Sequence, residues 1–280
     1  MIYGLYLSAA GVVTSSYRQD VIANNLANSE TVGFKKDLSL FRQRLTEAQS
    51  RRLPAPQPGA FPTNDSPDAF PGDAPSFPAP FPGVTNPLLE PLGGGTFAHP
   101  TVIDSSQGEL EPTGSPLDVA IEGRGYFAVD ESGETRLTRN GQFAVDHQGN
   151  LILSNRDGAK VLDTHRRPIQ LEPTGGVTVS SDGTVCQHGQ PVAQLGVFDV
   201  ADASQLVKQG ATLLRPGNQE LTAATSATLH SESVERANVD PATELAALMD
   251  TQRQLEANAN MIRYQDQTLS KLVNEVGKIG

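Results

Sequence analysis

The final forty residues of the chain limit its fold more than any other segment. Asp240 and Pro241 form a favourable N-cap followed by a proline at the first helical position, and no proline or glycine then occurs until Gly277. This predicts a single helix of about 36 residues, roughly 54 Å long at 1.5 Å per residue. Its apolar residues recur with heptad spacing, interrupted only by Gln252 and Asp266: Leu245, Leu248, Leu255, Ala259, Ile262, Leu269, Val273 and Val276.

A helix of this length cannot bury such a stripe against itself, so it requires a partner helix. The simplest partner is the start of the chain, which carries a similar but weaker stripe: Tyr3, Leu7, Ala10, Tyr17 and Val21. This first helix is expected to end near residues 31–33. Polar residues in the seam are expected to lower stability and to fix the register of the two helices. The two ends are therefore predicted to pair as an α-helical coiled coil.

The middle of the chain, residues 101–230, predicts β structure. Leu117, Val119 and Ile121 alternate with other residues, which is the period of a half-buried strand. Further short strands are predicted at 126–129, 142–145, 151–153, 177–179 and 194–198. Turns rich in Gly, Asn and Asp, which accept the positive φ of hairpins, are predicted at 130–133, 140–141, 146–150, 157–158 and 181–183. The predicted fold class is α+β, with an antiparallel β barrel or sandwich-like domain inserted between the paired helices.

Composition divides the chain into four segments. Residues 1–52 form the N-terminal helix and a basic connector, and with the C-terminal heptad helix at 235–280 they are expected to form a helical inner domain. Residues 53–100 hold 13 of the 20 prolines and five phenylalanines, which predicts an extended linker. Its phenylalanines are also compatible with docking on a folded surface. Residues 101–234 form the β-rich domain.

Charge and motif content exclude several classes of function. The net charge is −11, which disfavours binding to the phosphate backbone of nucleic acids. The single cysteine, Cys186, cannot form an internal disulfide, and with His188 it provides too few ligands for a zinc site. No apolar run is long enough for a membrane span, and the first residues lack the features of a cleaved signal peptide. No catalytic constellation, cofactor site or metal site is predicted.

A polar segment near the end of the first helix is open to two interpretations. Asn24, Asn25 and Asn28 are poor helix formers close together, which is compatible with a fraying final turn. The alternative is a packed junction whose amides hydrogen-bond a neighbouring chain. Physical reasoning from the residues alone leaves both open.

Four stretches of the sequence together resemble the bacterial flagellar basal-body rod and hook protein family. They occur in the order that this family shows, and the resemblance covers nearly the whole chain except residues 53–100. The matching stretches are Ile22-Ala23-Asn24-Asn25-Leu26-Ala27-Asn28 with Thr31-Val32-Gly33-Phe34-Lys35, residues 117–127, residues 138–143 with 146–151, and Val234-Glu235-Arg236-Ala237-Asn238-Val239-Asp240.

The resemblance implies a structural subunit that stacks helically in the flagellar rod or hook and transmits torque. The terminal helices would form an inner tube, with the β domain outside. The implied partners are other copies of the chain, neighbouring rod or hook subunits and the flagellar type III export machinery, with no nucleic acid, membrane insertion or cofactor. The implied location is the periplasmic rod of the basal body, reached without signal-peptide cleavage.

Within this family, length and a single β domain favour a rod protein over a hook protein. The opening Tyr3-Gly4-Leu5-Tyr6 and the chain size favour a proximal position over a distal one. The alternatives are a distal rod or hook subunit, a secreted adhesion module that displays its β domain on a coiled coil, and a β-barrel enzyme. The residues predicted to contact other subunits are Asn24, Asn25, Leu26, Ala27, Asn28, Gly33, Phe34, Leu245, Leu248, Leu255, Ile262, Leu269, Val273 and Val276.

Overall fold

A computed structural model describes residues 2–43, 95–154, 158–172, 175–217, 219–224 and 227–276. Helix α1 spans Ile2–Ala27 and helix α2 spans Pro241–Val276. The α2 helix has 36 residues, so its prediction is confirmed, whereas α1 ends several residues before the expected 31–33. Most of the predicted 53–100 linker lies outside the described residues, and strand β2 begins within its last part, at Thr96.

Short strands occupy the described region between the helices. Their bounds are β1 Asp37–Gln43, β2 Thr96–Ile103, β3 Leu110–Pro112, β4 Val119–Glu122, β5 Tyr126–Glu131, β6 Glu134–Thr138, β7 Phe143–Val145, β8 Leu151–Leu153, β9 Lys160–Val161, β10 Val177–Val179, β11 Thr184–Gln187, β12 Gln190–Gln194, β13 Val197–Val200, β14 Val207–Gln209, β15 Leu213–Arg215, β16 Leu221–Ala223, β17 Thr228–Ser231 and β18 Ser233–Glu235. A 3-10 helix at Ala203–Gln205 precedes β14.

The largest sheet runs in the order β14-β15-β6-β5-β9-β8-β7, with β13 pairing with β5 and β16 pairing with β13. Smaller sheets are β10-β11-β12, β17-β4, β18-β3 and β1-β2. The β region is mostly antiparallel, as predicted, but no closed barrel forms among the described strands. Closure requires strands long enough to tilt and stagger around an axis, and the strands on the main path have only two to six residues.

The turns agree with the predictions at some positions and differ at others. Ser132 and Gly133, both with positive φ, close the β5-β6 hairpin, and the side chain of Asp146 caps the β7-β8 turn by accepting the backbone N–H groups of Gln148 and Asn150. Residues 140–141 do not close a hairpin, because β6 and β7 are not neighbours in the sheet. The predicted strand at 194–198 is interrupted, since β12 ends at residue 194 and β13 begins at 197.

The core of the β region lies on both faces of strand β5. Phe127 and Val129 belong to one buried cluster, whereas Tyr126 and Ala128 belong to a second cluster with Leu137. Successive side chains of a strand point to opposite faces, so β5 is buried on both sides. Phe127 also packs edge-to-face against Phe143, with ring centroids 5.2 Å apart. Burial on both faces explains the four consecutive apolar residues, 126–129, with which β5 begins.

The chain divides into two compact units. The smaller contains residues 1–14, 41–99 and 255–280, and the larger contains residues 15–40 and 100–254. In the larger unit the β region is joined by the second half of α1 and the beginning of α2. The junction described below lies entirely within this larger unit.

The burial of α2 follows a heptad that differs in part from the predicted stripe. Leu248, Leu255, Ile262 and Leu269 are half-buried as members of a common face, but Leu245 is 50% exposed. The predicted polar exceptions, Gln252 and Asp266, are exposed as well. The positions that alternate with the four apolar residues are polar and are buried or half-buried: Glu244, Thr251, Asn258 and Gln265.

The N-terminus of α2 is capped as predicted. The carboxylate of Asp240 accepts hydrogen bonds from the hydroxyl of Thr243 and the backbone N–H of Ala242. These bonds, with the Thr243 bond contributing most, hold the pKa of Asp240 below its usual value. The cap therefore fixes the residue at which α2 begins.

Candidate functional site at the junction of the two chain ends

The end of α1 is held to strand β1 by the side chain of Asn25. Its amide nitrogen donates to the backbone carbonyl of Asp37 at 2.9 Å, and its amide oxygen accepts the backbone N–H of the same residue at 2.9 Å. Asn25 is only 1% exposed. These two hydrogen bonds resemble the pair that two residues exchange between antiparallel strands. The amide therefore supplies partners for backbone groups that would otherwise lack them.

The neighbouring asparagines behave differently. Asn28 donates from its side chain to the backbone carbonyl of Asn24 at 2.9 Å, which closes the last turn of the helix, while Asn24 itself is exposed. Asn25 is therefore part of a packed junction within its own chain, since its amide is bonded to a residue 12 positions further along. The contact of these asparagines with other subunits stays a prediction.

Gly33 and Phe34 place the chain that leaves α1 against its C-terminal segment. The backbone N–H of Gly33 donates to the carbonyl of Glu235 at 2.8 Å. The Phe34 side chain is fully buried, and the ammonium of Lys208 lies 4.0 Å from the centre of its ring. That ammonium also donates to the backbone carbonyl of Lys35 at 2.6 Å and to the carboxylate of Asp37 at 2.8 Å. Strand β14 is thus tied to the same junction.

A buried group of three charged side chains lies at the centre of the junction. The Nζ atom of Lys35 donates to Oε1 of Glu235 at 2.6 Å, and Nη1 of Arg139 donates to Oε2 at 3.0 Å. Glu235 is 0% exposed, and the other two side chains are also buried. We call Lys35, Arg139 and Glu235 the charged triad.

The backbone supplies most of the remaining hydrogen bonds of the triad. Lys35 also donates to the carbonyl of Ser106 at 2.7 Å, and Arg139 donates to the carbonyl of Gly123 at 2.7 Å. Oε1 of Glu235 accepts the N–H of Gly108 at 2.9 Å. Burial lowers the pKa of Lys35, while the carboxylate of Glu235 acts in the opposite direction. One carboxylate therefore compensates two buried cations, and loss of it leaves both without their counter-charge.

A second layer of contacts connects the triad to the start of α2. The amide oxygen of Asn238 accepts the backbone N–H of Lys36 at 2.7 Å, and its amide nitrogen donates to the carbonyl of Asp104 at 3.0 Å. Nζ of Lys36 lies 2.6 Å from the carboxylate of Glu244, in the first turn of α2. Within the larger unit, these contacts hold the segment that follows α1 against the segment that precedes α2.

The chemistry of the junction is suited to holding chain segments in place. Most of its polar groups are paired with each other or with backbone groups, and the described residues contain no group of three His, Cys, Asp or Glu side chains placed to hold a metal ion. Among the described helices, neither α1 nor α2 has the length and hydropathy of a membrane span. A network of this kind fixes orientation, because every member has to remain in place to satisfy the others.

The residues predicted to contact other subunits fall into two groups. Asn25, Gly33 and Phe34 are brought together at the junction and are buried. On α1, Leu26 and Asn28 are half-buried, and Asn24 and Ala27 are exposed. The α2 residues lie along the helix, half-buried at 248, 255, 262 and 269 and exposed at 245 and 273, and the side chain at 276 is outside the described residues.

Sequence reasoning did not select the charged triad, or the amide of Asn238, as part of a site. Lys35, Arg139, Glu235 and Asn238 all lie inside the stretches that carried the family resemblance, yet none was selected as a site residue. The signal that was present is a charge or amide in the middle of an otherwise apolar or small-residue motif. Lys208 lies outside those stretches, and no sequence pattern marks it.

Replacing Asn25 by alanine should lower the free energy of unfolding by about 2–4 kcal/mol, because the N–H and C=O groups of Asp37 lose their partners. Urea unfolding followed by circular dichroism measures this. Asn24→Ala is the matched control on the exposed side of the same turn, with an expected change within about 0.5 kcal/mol. Equal effects of the two substitutions would show that the Asn25 bonds do not hold the junction.

Comparison with known proteins matches three parts of the chain. Residues 5–35 match the family described as flagella basal body rod protein, residues 120–187 the D1 domain of the flagellar hook protein FlgE/F/G, and residues 230–275 the C-terminal part of the flagellar basal body rod FlgEFG protein. Each of these three regions contributes one member of the charged triad: Lys35, Arg139 and Glu235.

Similarity to individual proteins extends over almost the full chain. The flagellar basal-body rod protein FlgF of Caulobacter vibrioides is 31% identical over 278 residues, which cover 98% of both chains. FlgG of Bacillus subtilis is 29% identical, covering 98% of this chain and 99% of its own, and FlgF of Mesorhizobium japonicum is 25% identical, covering 98% and 97%. The chain belongs to the flagellar basal-body rod protein family, whose members are structural proteins and not enzymes.

Proposed function

We propose that this structural subunit of the flagellar rod polymerises through the outer faces of its two terminal helices, and that the junction passes torque between those helices and the β region. Assembly with other basal-body rod or hook subunits follows from the family. The contribution of each helix face and the role of the junction are the parts proposed.

The observation that carries the assembly proposal is the number of large apolar side chains that α2 leaves exposed. Tyr264 is 66% exposed and Val273 is 69% exposed. Single exposed apolar residues are common on soluble proteins, but several on one helix are typical of a surface that is covered by a partner. The exposed apolar residues of α2 are Leu245, Met249, Met261, Tyr264, Leu272 and Val273.

The junction supports the torque proposal because it is stiff. Torque carried between a helical segment and a β region has to cross the chain connections at residues 28–36 and 235–240. Both connections are held by hydrogen bonds, by Gly33 and the buried charged triad on one side and by the part-buried bonds of Asn238 on the other. A connection held in one conformation transmits rotation from the helices to the β region, whereas a flexible one would bend.

Three finer aspects remain predictions. The position in the rod is predicted to be proximal. The helices are predicted to pair as a coiled coil and to stack helically with other copies of the chain. Export through the flagellar type III channel without cleavage is predicted as the route to the periplasmic rod.

The assembly proposal is tested with the double substitution Met261→Asp/Tyr264→Asp in a strain whose own copy is deleted. We expect the amount of this chain in purified basal bodies to fall more than tenfold and swimming to be lost, because burying two unpaired carboxylates in a helix contact costs several kcal/mol. The melting temperature of the isolated chain should stay unchanged, since both side chains are exposed.

The matched control is Gln252→Asp/Ser270→Asp, which adds the same charge at exposed polar positions on the side of the helix opposite Met261. It should assemble and swim normally. Normal basal bodies containing the Met261/Tyr264 variant would refute the proposal that this face contacts neighbours. Equal loss with the control would instead indicate that added charge alone blocks assembly.

A further inference from the structure

In the smaller unit, two glycines of α1 face side-chain amides of α2. A Cβ atom added to Gly11 would lie 2.7 Å from Nδ2, 2.9 Å from Cγ and 3.1 Å from Oδ1 of Asn258. A Cβ atom added to Gly4 would lie 2.7 Å from Nε2 of Gln265. In both cases a side-chain amide of α2 occupies the space that any residue other than glycine would need.

The two contacts have the same spacing on both helices. Gly4 and Gly11 are seven residues apart, as are Asn258 and Gln265, and the pairs run in opposite directions along the chain. They are therefore successive heptad rungs of an antiparallel pair of helices. Ser8, between the two glycines, is buried as well, so the face of α1 at this contact is made of small residues.

We infer that these amide-on-glycine rungs, and above all Asn258 on Gly11, set the register in which the two terminal helices pair. The inference rests on the helix pairing of the proposed function and deepens it, because a pair held in one register presents one fixed outer face to a neighbouring subunit.

Only one alignment accommodates both amides. A slip of three or four residues brings an amide against Ser8, whose Cβ fills the space that the glycines leave open. A slip of one heptad places Asn258 on Gly4 and carries Gln265 beyond the start of α1, or places Gln265 on Gly11 and removes Asn258 from both glycines. Leucine or isoleucine in the seam would not discriminate so sharply, because large apolar side chains pack against many neighbours.

The chemistry of the rungs fits specificity better than stability. Glycine buries little apolar surface, and the Oε1 atom of Gln265 is buried with no hydrogen-bond partner among the described residues. An unsatisfied buried amide weakens a helix pair, and polar residues in a coiled-coil seam are known to fix register at the expense of stability. The apolar contribution comes from the alternate seam residues, such as Leu255 and Ile262.

The two rungs differ in how well they tolerate a methyl group, and this difference provides an internal control. All three terminal atoms of the short Asn258 side chain lie within 3.1 Å of the added Cβ position at Gly11, so the whole amide group would have to turn away from α1. At Gly4 only the far end of the longer Gln265 side chain is closer than 3 Å, and it can rotate away. Gly→Ala raises helix propensity by about 1 kcal/mol at either site, so loss of pairing cannot arise from a weaker α1.

The experiment measures the distance between nitroxide labels at Val13→Cys and Ser270→Cys, two exposed positions at different heights along the helix pair, by pulsed electron paramagnetic resonance on the full-length chain with Cys186→Ser. The unmodified seam should give one narrow distance distribution. Gly11→Ala should broaden it or move its maximum by about 4 Å, because a slip of three or four residues displaces the helices by about 5 Å along their axes. Gly4→Ala should leave it unchanged, and Gly11→Ala/Asn258→Ala should restore it.

The inference is overturned if Gly11→Ala keeps the narrow distribution, or if Asn258→Ala fails to rescue it. A broad distribution in the chain with the unmodified seam overturns the pairing of the helices itself, and with it that part of the proposed function. Because the measurement is made on dilute, unassembled chain, neither result depends on whether the exposed face of α2 supports assembly.

Discussion

Replacing Glu235 by glutamine should lower the free energy of unfolding by about 3–5 kcal/mol, the largest effect expected from a change that preserves side-chain shape. The substitution leaves the ammonium of Lys35 and the guanidinium of Arg139 buried without their carboxylate. Urea unfolding at neutral pH measures this. The matched control is Glu111→Gln, which removes an exposed pair with Arg236 and should change the free energy by no more than about 1 kcal/mol.

The pH dependence identifies the source of this loss. Burial already lowers the pKa of Lys35, and removing Glu235 removes the main interaction that opposes the shift. Between that lowered folded-state pKa and the ordinary value of 10.5, the folded state binds fewer protons than the unfolded state, so stability rises with pH. The effect of Glu235→Gln should therefore shrink as the pH is raised toward 10. An effect that is the same at neutral and alkaline pH would contradict an origin in unpaired Lys35.

Gly33→Ala should destabilise the chain by about 4 kcal/mol or more, which places it among exceptional single substitutions. Gly33 has a φ of +70°, and an added Cβ would lie 2.3 Å from the backbone nitrogen and 2.6 Å from the Cα atom of Asn140. These are backbone atoms of the segment that carries Arg139, so they can move only if the junction opens. Thermal or urea unfolding measures the change.

Gly114→Ala is an unusually close control for this substitution. Gly114 has a φ of +71°, but nothing lies within 4 Å of its added Cβ. It should therefore carry only the left-handed backbone penalty, about 1–2 kcal/mol. The difference between the two variants isolates the collision with the junction. If both variants lose the same stability, the close approach at Gly33 has no energetic consequence.

The elements that sequence reasoning predicted correctly are those with local signals. The limits of α2 follow from Asp240-Pro241 and from the absence of proline and glycine up to residue 277, and several strands follow from short apolar runs between turns. Hydropathy predicted only part of the set of α2 residues that are buried. Hydropathy selects Leu245, whereas the structure buries Glu244, whose charge is paired with Lys36.

The same limitation explains why the junction was missed. The two bonds that define the charged triad join residues separated by 200 and 96 positions, and no local pattern connects them. Thr251 is buried for a different, local reason, since its hydroxyl donates to the carbonyl of Ala247 in the preceding turn of the same helix. A rule that equates polarity with exposure cannot detect polar groups whose partners come from elsewhere in the fold.

The long separation between Lys35 and Glu235 also imposes an order of events on a chain that emerges from its N-terminus. Lys35 is synthesised early, but the carboxylate that pairs with its ammonium belongs to a residue 200 positions later. Chains that stop before residue 235 retain an ammonium that cannot be neutralised at this site, however well their β strands pair. Completion of the charged triad therefore requires that the chain has been made past residue 235, and copies that end earlier lack the carboxylate that both cations need.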